Sequence, residues 1–335
     1  MFAKYSSLEN HYNGKFIEKI RGAGFDMHTV EWVAREKIHG TNFSVIITPT
    51  EIVPAKRTGP ILESESFFGH DIIMKKYKDS FVKMQNMLNA MDLVSVQIFG
   101  EFAGGGIQKG VDYGEKDFYV FDILSDSGNE KVYWDDYVVE SFATGLGLKL
   151  APLLGRGSFA ELSQYVNDFK SIVNYYNELV DTTDLEHANK HVFGPQASSE
   201  TGVAEGYVLK PVHPKFFNNG TRVAIKCKNS KFSEKAKSDK PIKAKVELTE
   251  NDKRVLEIFS EYVTWNRVSN VLSHIGTVTA KDFGRVMGLT MKDIINEAAR
   301  EGHDMLFADN PSAIKKEITT LIQNTIRSKW HEVLE

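Results

Sequence analysis

The segment Glu36-Lys37-Ile38-His39-Gly40-Thr41-Asn42 puts a lysine at the end of a β-type run, close to a glycine that lets the chain turn sharply. A lone Lys-x-x-Gly is common and reads as a solvated lysine before a turn. Here five further blocks follow in order: Lys56-Arg57-Thr58-Gly59, Phe99-Gly100-Glu101-Phe102, Phe118-Tyr119-Val120-Phe121-Asp122, Glu205-Gly206-Tyr207-Val208-Leu209-Lys210 and Ala224-Ile225-Lys226-Cys227-Lys228. Each is a strand-like run with a charged residue at its edge or end. Strands converging on one cleft would gather a lysine nucleophile, glutamates, an aromatic platform, an arginine and further lysines. That set suits attack of an amine on the α-phosphate of a nucleotide, giving a lysine–nucleotide phosphoramide. The amine must be neutral to attack, and the cations Lys226, Lys228 and Arg57 would favour its neutral form. The same cations would stabilise charge on the phosphoryl oxygens. A divalent metal held by carboxylates and waters would orient the pyrophosphate leaving group. A ring such as Phe121 would stack on a purine.

Competing patterns are weaker. Gly155-Arg156-Gly157-Ser158-Phe159-Ala160 fits a loose dinucleotide-binding spacing, but Pro152 interrupts the preceding run and no regular βαβ alternation surrounds it. No Gly-x-x-x-x-Gly-Lys-Ser/Thr is present, which argues against a P-loop enzyme. His187 and His191 are four apart, but a third ligand and the glutamate of an HExxH motif are missing, so they read as surface histidines.

The elements that must position these residues follow from patterning. Period-two or β-branched runs cover 31–36, 42–47, 93–101, 118–123, 206–210 and 222–226, with helical patterning near 8–21, 70–91 and 135–146. Beyond residue 246 the pattern is helical. Thr249 with Asp252, Thr279 with Asp282 and Thr290 with Asp293 each offer a helix-start signal, and Asn310-Pro311 begins a last helix. These patterns predict an α+β domain over 1–233, a basic linker over 234–245 and a helical domain over 246–335.

The 335 residues carry 41 basic and 45 acidic side chains, a formal charge of −4. That balance hides a segment from Arg222 to Lys245 with nine basic residues against two acids, a net +7 that leaves the remainder at −11. Its first part, Lys226 and Lys228, is expected to form active-site wall. Its later part is expected to be an exposed linker near nucleic-acid phosphates. A single cysteine, Cys227, excludes intrachain disulfides and thiolate zinc sites. No run approaches the ~20 apolar residues of a spanning helix, and the start lacks the apolar run of a signal peptide. The expectation is a cytoplasmic protein without membrane partners.

These blocks resemble the ordered motifs of the covalent nucleotidyltransferases, the ATP-dependent ligases and RNA capping enzymes. More closely, the chain resembles the bacteriophage RNA ligase 2 family, from Tyr5-Ser6-Ser7-Leu8-Glu9 through Arg57-Thr58-Gly59-Pro60-Ile61-Leu62 and Gln97-Ile98-Phe99-Gly100-Glu101-Phe102-Ala103-Gly104 to Lys226-Cys227-Lys228-Asn229-Ser230-Lys231-Phe232 and the helical C-terminus. His39 replaces the aspartate of the usual Lys-x-Asp-Gly, as in that family. The C-terminus shows helical patterning where DNA ligases and capping enzymes generally carry an OB-type barrel.

The resemblance implies a nucleotidyltransferase (ATP-grasp-like ligase) domain of antiparallel sheets with flanking helices, then a small all-α domain. It implies sealing of 3′-OH/5′-phosphate nicks in duplex RNA, with ATP and Mg²⁺, for which Mn²⁺ can substitute. The enzyme would act as a monomer, in the host cytoplasm if phage-encoded. Lys37 would be the adenylated nucleophile. Glu36 would help recognise adenine, Phe121 would stack on it, and Arg57 and Glu101 would contact the ribose. Asn42 would also face the nucleotide. Glu205 would serve the lysine and the metal, and Lys226 and Lys228 the AMP phosphate. His39 would serve the later steps. Thr41, Phe67, Phe68 and Lys210 would contact RNA, and Arg267 and Asp293 would help transfer AMP to its end. A DNA ligase, a GTP-using capping enzyme and an RNA-binding protein with a degenerate site are the alternatives.

Overall fold

The computed structural model describes residues 2–195, 202–232, 247–275 and 278–334. The chain divides into two compact units, Met1–Ala244 and Lys245–Glu335. The proposed basic linker at 234–245 lies outside the described residues.

The first unit is built on two sheets. Its strands are β1 (Glu9–Asn10), β2 (Trp32–Glu36), β3 (Thr41–Ile47), β4 (Ile52–Lys56), β5 (Gly59–Pro60), β6 (Ser95–Ala103), β7 (Asp117–Asp126), β8 (Lys131–Tyr133), β9 (Lys149–Leu150), β10 (Leu153–Gly157), β11 (Gly206–Pro211) and β12 (Ile225–Lys228). One sheet runs β1-β12-β11-β2-β10, the other β5-β4-β3-β6-β7-β8 with β9 beside β7. Pairing is antiparallel except at β1–β12 and β7–β9. The helices are α1 (Gly14–Gly22), α2 (Asp71–Lys76), α3 (Lys78–Met87), α4 (Asp136–Gly145), α5 (Phe159–Leu162), α6 (Val173–Thr182) and α7 (Leu185–Lys190), then, in the second unit, α8 (Glu250–Glu261), α9 (Trp265–Ile275), α10 (Phe283–Arg300) and α11 (Pro311–Val333). No helix among the described residues is long and apolar enough to cross a membrane.

Each sheet buries one face in its own core. Ile17 and Ile20 of α1, Trp32 and Ala34 of β2, Tyr207 and Leu209 of β11 and Tyr176 of α6 form one cluster. Phe43 and Val45 of β3, Ile98 of β6, Phe118 and Val120 of β7, and Phe81 and Met84 of α3 form the other. β2 is buried along its whole length, so its two charged residues need partners. Arg35 donates two bonds to Asp136, both at 2.8 Å, and Arg156 bonds Asp136 and Glu140 at 2.7 Å.

Five of the six strand runs expected from patterning are present, and the sixth, 222–226, is strand only from Ile225, as β12. The patterning does not show β1, β4, β5, β8, β9 and β10 or the helices α5 to α7: these strands are two to five residues long, too short for a clear period, and β1 takes the start of the 8–21 stretch expected as helix. The Gly155–Gly157 pattern lies within β10, where a Cβ on Gly155 would stand 2.4 Å from the Tyr165 hydroxyl, so this glycine serves close packing. In the second unit, Thr249 and Asp252 form a capping box at α8, and Thr279 and Asp282 form another just before α10. Thr290 is a correction. It lies mid-way along α10, buried, with its hydroxyl donating to the Val286 carbonyl, because the apolar rhythm of Val286, Met291 and Ile294 runs straight through it. The helical stretch that starts at Thr249 is two helices, α8 and α9, broken around Tyr262–Thr264.

Candidate active site

Strands β2, β11 and β12 of one sheet and β3, β6 and β7 of the other border a cavity of about 400 Å³. Glu36, Lys37, Gly40, Thr41, Asn42, Arg57, Glu101, Phe121, Lys210, Lys226 and Lys228 all line it, with Tyr5 to Leu8 from the N-terminal segment.

The nucleophile sits on the turn between β2 and β3. Lys37 leaves β2 with its amide donating to Gly206 O at 2.8 Å, and its ammonium lies 2.7 Å from Glu205 Oε2. The same carboxylate takes Lys228 Nζ at 3.0 Å and approaches His39 Nδ1 at 3.5 Å. Burial alone would raise the Glu205 pKa. The His39 bond, the charge and bond of Lys37 and the charge of Lys228 outweigh it and hold the group at about 2. The turn itself is pinned from behind. Gly40 N donates to Glu101 at 3.1 Å, Gln108 donates to Gly40 O at 3.2 Å, and His39 N donates to the Tyr113 hydroxyl at 3.0 Å. A Cβ on Gly40 would lie 2.3 Å from Phe102 O, so β3 and β6 can close only on glycine.

Strand alternation aims the cations. On β12, Ile225 and Cys227 are buried while Lys226 and Lys228 face the cavity. A bulge does the same for the aromatic platform. Phe99 pairs with Asp122 and Gly100 with Val120, so Phe121 is the extra residue of β7. Val120 and Ile123 both enter the core, which leaves Phe121 on the cavity and Asp122 fully buried. The Tyr5 ring packs edge-on against Phe121 at 5.0 Å. Behind it, Asp122 takes the Tyr5 hydroxyl at 2.5 Å, two bonds from Arg222 at 2.9 Å and one from Lys210 at 2.7 Å.

Glu36 and Glu101 differ from Glu205. Burial pushes Glu36 up to about 7, although Ser171 Oγ and Ile172 N donate to it at 2.6 and 2.7 Å. Burial also pushes Glu101 up to about 7, against the charge of Lys37. Among the described residues no three ligating side chains gather into a metal cage. A single carboxylate completed by phosphate oxygens and waters is a common magnesium arrangement, and Glu205 fits that role.

Most residues expected at the site therefore come together. Phe67 stacks on Phe43, 6.4 Å between centroids, and Phe68 beside it is 47% exposed in a left-handed conformation. Lys210 is buried, with its ammonium on Asp122 and the Phe121 carbonyl, and it borders the same cavity. In the second unit, Arg267 Nη1 and Asp293 Oδ2 form an ion pair at 2.7 Å. Tyr113, Ser171 and Asn229 were missed, since each reaches the site from a loop with no pattern of its own.

An RNA ligase family model matches residues 30–228, and a T4 RNA ligase 2 C-terminal domain model matches 245–324. The chain is 24% identical to the mitochondrial RNA-editing ligase 2 of Trypanosoma brucei brucei, over all of this chain and 92% of that one. Among solved structures, a Naegleria gruberi RNA ligase with PPi aligns at 17% identity and TM-score 0.47, covering 69% of this chain and 57% of that one. A variant of that ligase with ATP and Mn aligns at 17% identity and TM-score 0.45, with the same coverage.

Proposed function

Because the chain belongs to the RNA ligase family, with a C-terminal unit of the RNA ligase 2 type, we propose that it seals 3′-OH/5′-phosphate nicks in duplex RNA at the expense of ATP, through a lysyl-AMP and an RNA-adenylate. The observation that carries this reading is the Lys37 ammonium on Glu205, in a cavity it shares with Lys226, Lys228, Arg57 and Phe121.

The Lys37 amine, once deprotonated, attacks the α-phosphorus of ATP. A P–N bond forms, the bond to the β-phosphate oxygen breaks, and pyrophosphate leaves. Glu205 holds the lysine in line, and its low pKa makes it a weak proton acceptor. Lys226 and Lys228 meet the charge on the phosphoryl oxygens. A divalent ion bound with the nucleotide would neutralise charge on the leaving group, with Glu205 as its protein carboxylate. Phe121 offers a face to adenine, Glu101 and Arg57 face the ribose, Asn42 lines the nucleotide side, and Glu36 closes the base end. In the second step a 5′-phosphate oxygen of the RNA attacks the same phosphorus and releases Lys37. In the third, the 3′-hydroxyl attacks the RNA 5′-phosphorus and expels AMP.

His39, whose Nδ1 approaches the same Glu205 oxygen as Lys37, is the proposed group for these two steps. Thr41, Phe67 and Phe68 are the proposed contacts to the 3′-OH strand, and Arg267 with Asp293 the contacts for AMP transfer. A duplex could be read from A-form shape and 2′-hydroxyls.

The test is incubation with α-labelled ATP and Mg²⁺, then denaturing electrophoresis. Wild type is expected to gain covalent label and Lys37→Ala none; equal labelling of the two sinks the reading. Nicked duplexes differing only in sugar check the substrate. Faster sealing of all-DNA nicks would replace RNA by DNA, and labelling by GTP would point to capping.

A further inference from the structure

The His39 imidazole has a neighbour that the three-step chemistry does not use. A 3₁₀ turn, Ser230–Phe232, follows β12 directly. Buried Asn229 builds it. The Asn229 amide donates to Glu205 O at 2.8 Å, its Nδ2 to Asp168 at 3.0 Å, and its Oδ1 accepts from Lys231 N at 3.0 Å. Phe232 N then donates to Asn229 O at 3.0 Å, and Asn167 Nδ2 holds Lys228 O at 2.7 Å. The turn is thus fixed to the backbone that carries Glu205 and Lys228. It delivers the Phe232 ring onto His39 edge to face, centroids 4.9 Å apart and planes at 66°. Glu205 stands near Nδ1 at 3.5 Å. The imidazole therefore has a carboxylate at one nitrogen and an aromatic ring packed against it. Lys37 is held separately, by its own bond to Glu205.

We propose that Phe232 is a positioning residue for His39, setting the imidazole for the RNA-dependent steps while leaving lysine adenylylation to the Lys37–Glu205 pair. This rests on the assignment of His39 to those later steps. Tilted aromatic pairs at such spacing contribute an amount equivalent to roughly a two- to tenfold change in rate when used in a transition state.

The experiment uses the full chain with Phe232→Ala, Phe232→Leu and Phe232→Tyr. Enzyme preloaded with labelled AMP is mixed with nicked duplex RNA in single turnover, and lysine labelling is timed separately. Phe232→Ala is expected to seal up to about tenfold more slowly, to label Lys37 within about twofold of wild type, and to be rescued by Phe232→Tyr. Its His39 ring-proton resonances, assigned with His39→Asn, should also move, whereas those of Phe232→Tyr should stay near wild type. Unchanged sealing, equal slowing of both steps, or failure of Phe232→Tyr to rescue would overturn the proposal. If the alanine variant does not fold, Phe232→Leu keeps the bulk without the ring and must show the same split. If wild type takes no label, it is the ligase reading that fails. The His39 resonances still judge the contact, and their constancy in Phe232→Ala or Phe232→Leu would refute it.

Discussion

Asp122→Asn is the perturbation whose cost the structure sets most directly. The carboxylate is fully buried and answers two buried cations, Arg222 and Lys210, besides the Tyr5 hydroxyl. Asparagine keeps the shape and removes the charge. Breaking a buried pair from one side costs about 3–5 kcal/mol, since the partner stays buried and uncompensated. Arg222 is partly sheltered, its guanidinium 4.0 Å from the Tyr133 ring centre, so Lys210 should dominate the loss. Hydrogen exchange at the amides of β7 and β11, read in the intact chain, reports opening of this unit independently of the helical one. At 1.4 kcal/mol per factor of ten, protection should fall by roughly 10² to 10³·⁵. Adding Lys210→Met should recover part of the loss, a non-additivity expected of charges sharing one site. Burial would raise the Asp122 pKa, but Arg222 and Lys210 hold it down at about 2. A depressed acid contributes stability above its unfolded pKa and loses it as pH falls through the folded one. The deficit of the variant should therefore be constant from about pH 5 upward and shrink toward pH 2. A protection loss below about tenfold, or no recovery in the double variant, would refute the argument that charge pairing holds these strands together.

Glu36→Gln should change sign with pH. The folded carboxyl keeps its proton up to about 7 while the unfolded one loses it near the usual carboxylate value, so wild-type stability falls across that interval. The variant should gain on wild type between pH 5 and pH 8 in urea unfolding, and parallel curves would contradict this. Gly100→Ala would put a Cβ 2.4 Å from the Phe118 ring and 2.6 Å from Tyr119 O. It should cost about 1–3 kcal/mol and reduce AMP labelling by disturbing the bulge, whereas normal labelling would show that the bulge is not needed to aim Phe121. Thr249→Val removes the capping box of α8 and should cost the helical unit about 1 kcal/mol in exchange protection at α8 amides, with Lys37 labelling unchanged.

The sequence carries the site better than the scaffold. Lys37, Glu101, Glu205, Lys226 and Lys228 are legible because each ends or edges a strand whose period-two pattern is local. Phe121 is legible as an aromatic, but not as a bulge, since the extra residue exists only relative to β6. The pairing of Lys210 with Asp122 is not legible, because the two stand 88 positions apart. Thr290 imitates a helix start since Thr-x-x-Asp is a start only where the chain is free to leave the helix. Ser171 and Tyr113 each reach the site through one hydrogen bond from a loop and Asn229 through several, and such bonds leave no periodicity to read.

The alternation of β12 has a practical corollary. Cys227 is the chain's one thiol, and it is buried with its pKa pushed up to about 12. A thiol reagent can therefore reach it only when the strand between Lys226 and Lys228 comes away from its neighbours. The rate of Cys227 modification becomes a native clock for opening of the phosphate-binding wall, read with no residue substituted and slowed by whatever occupies the cavity.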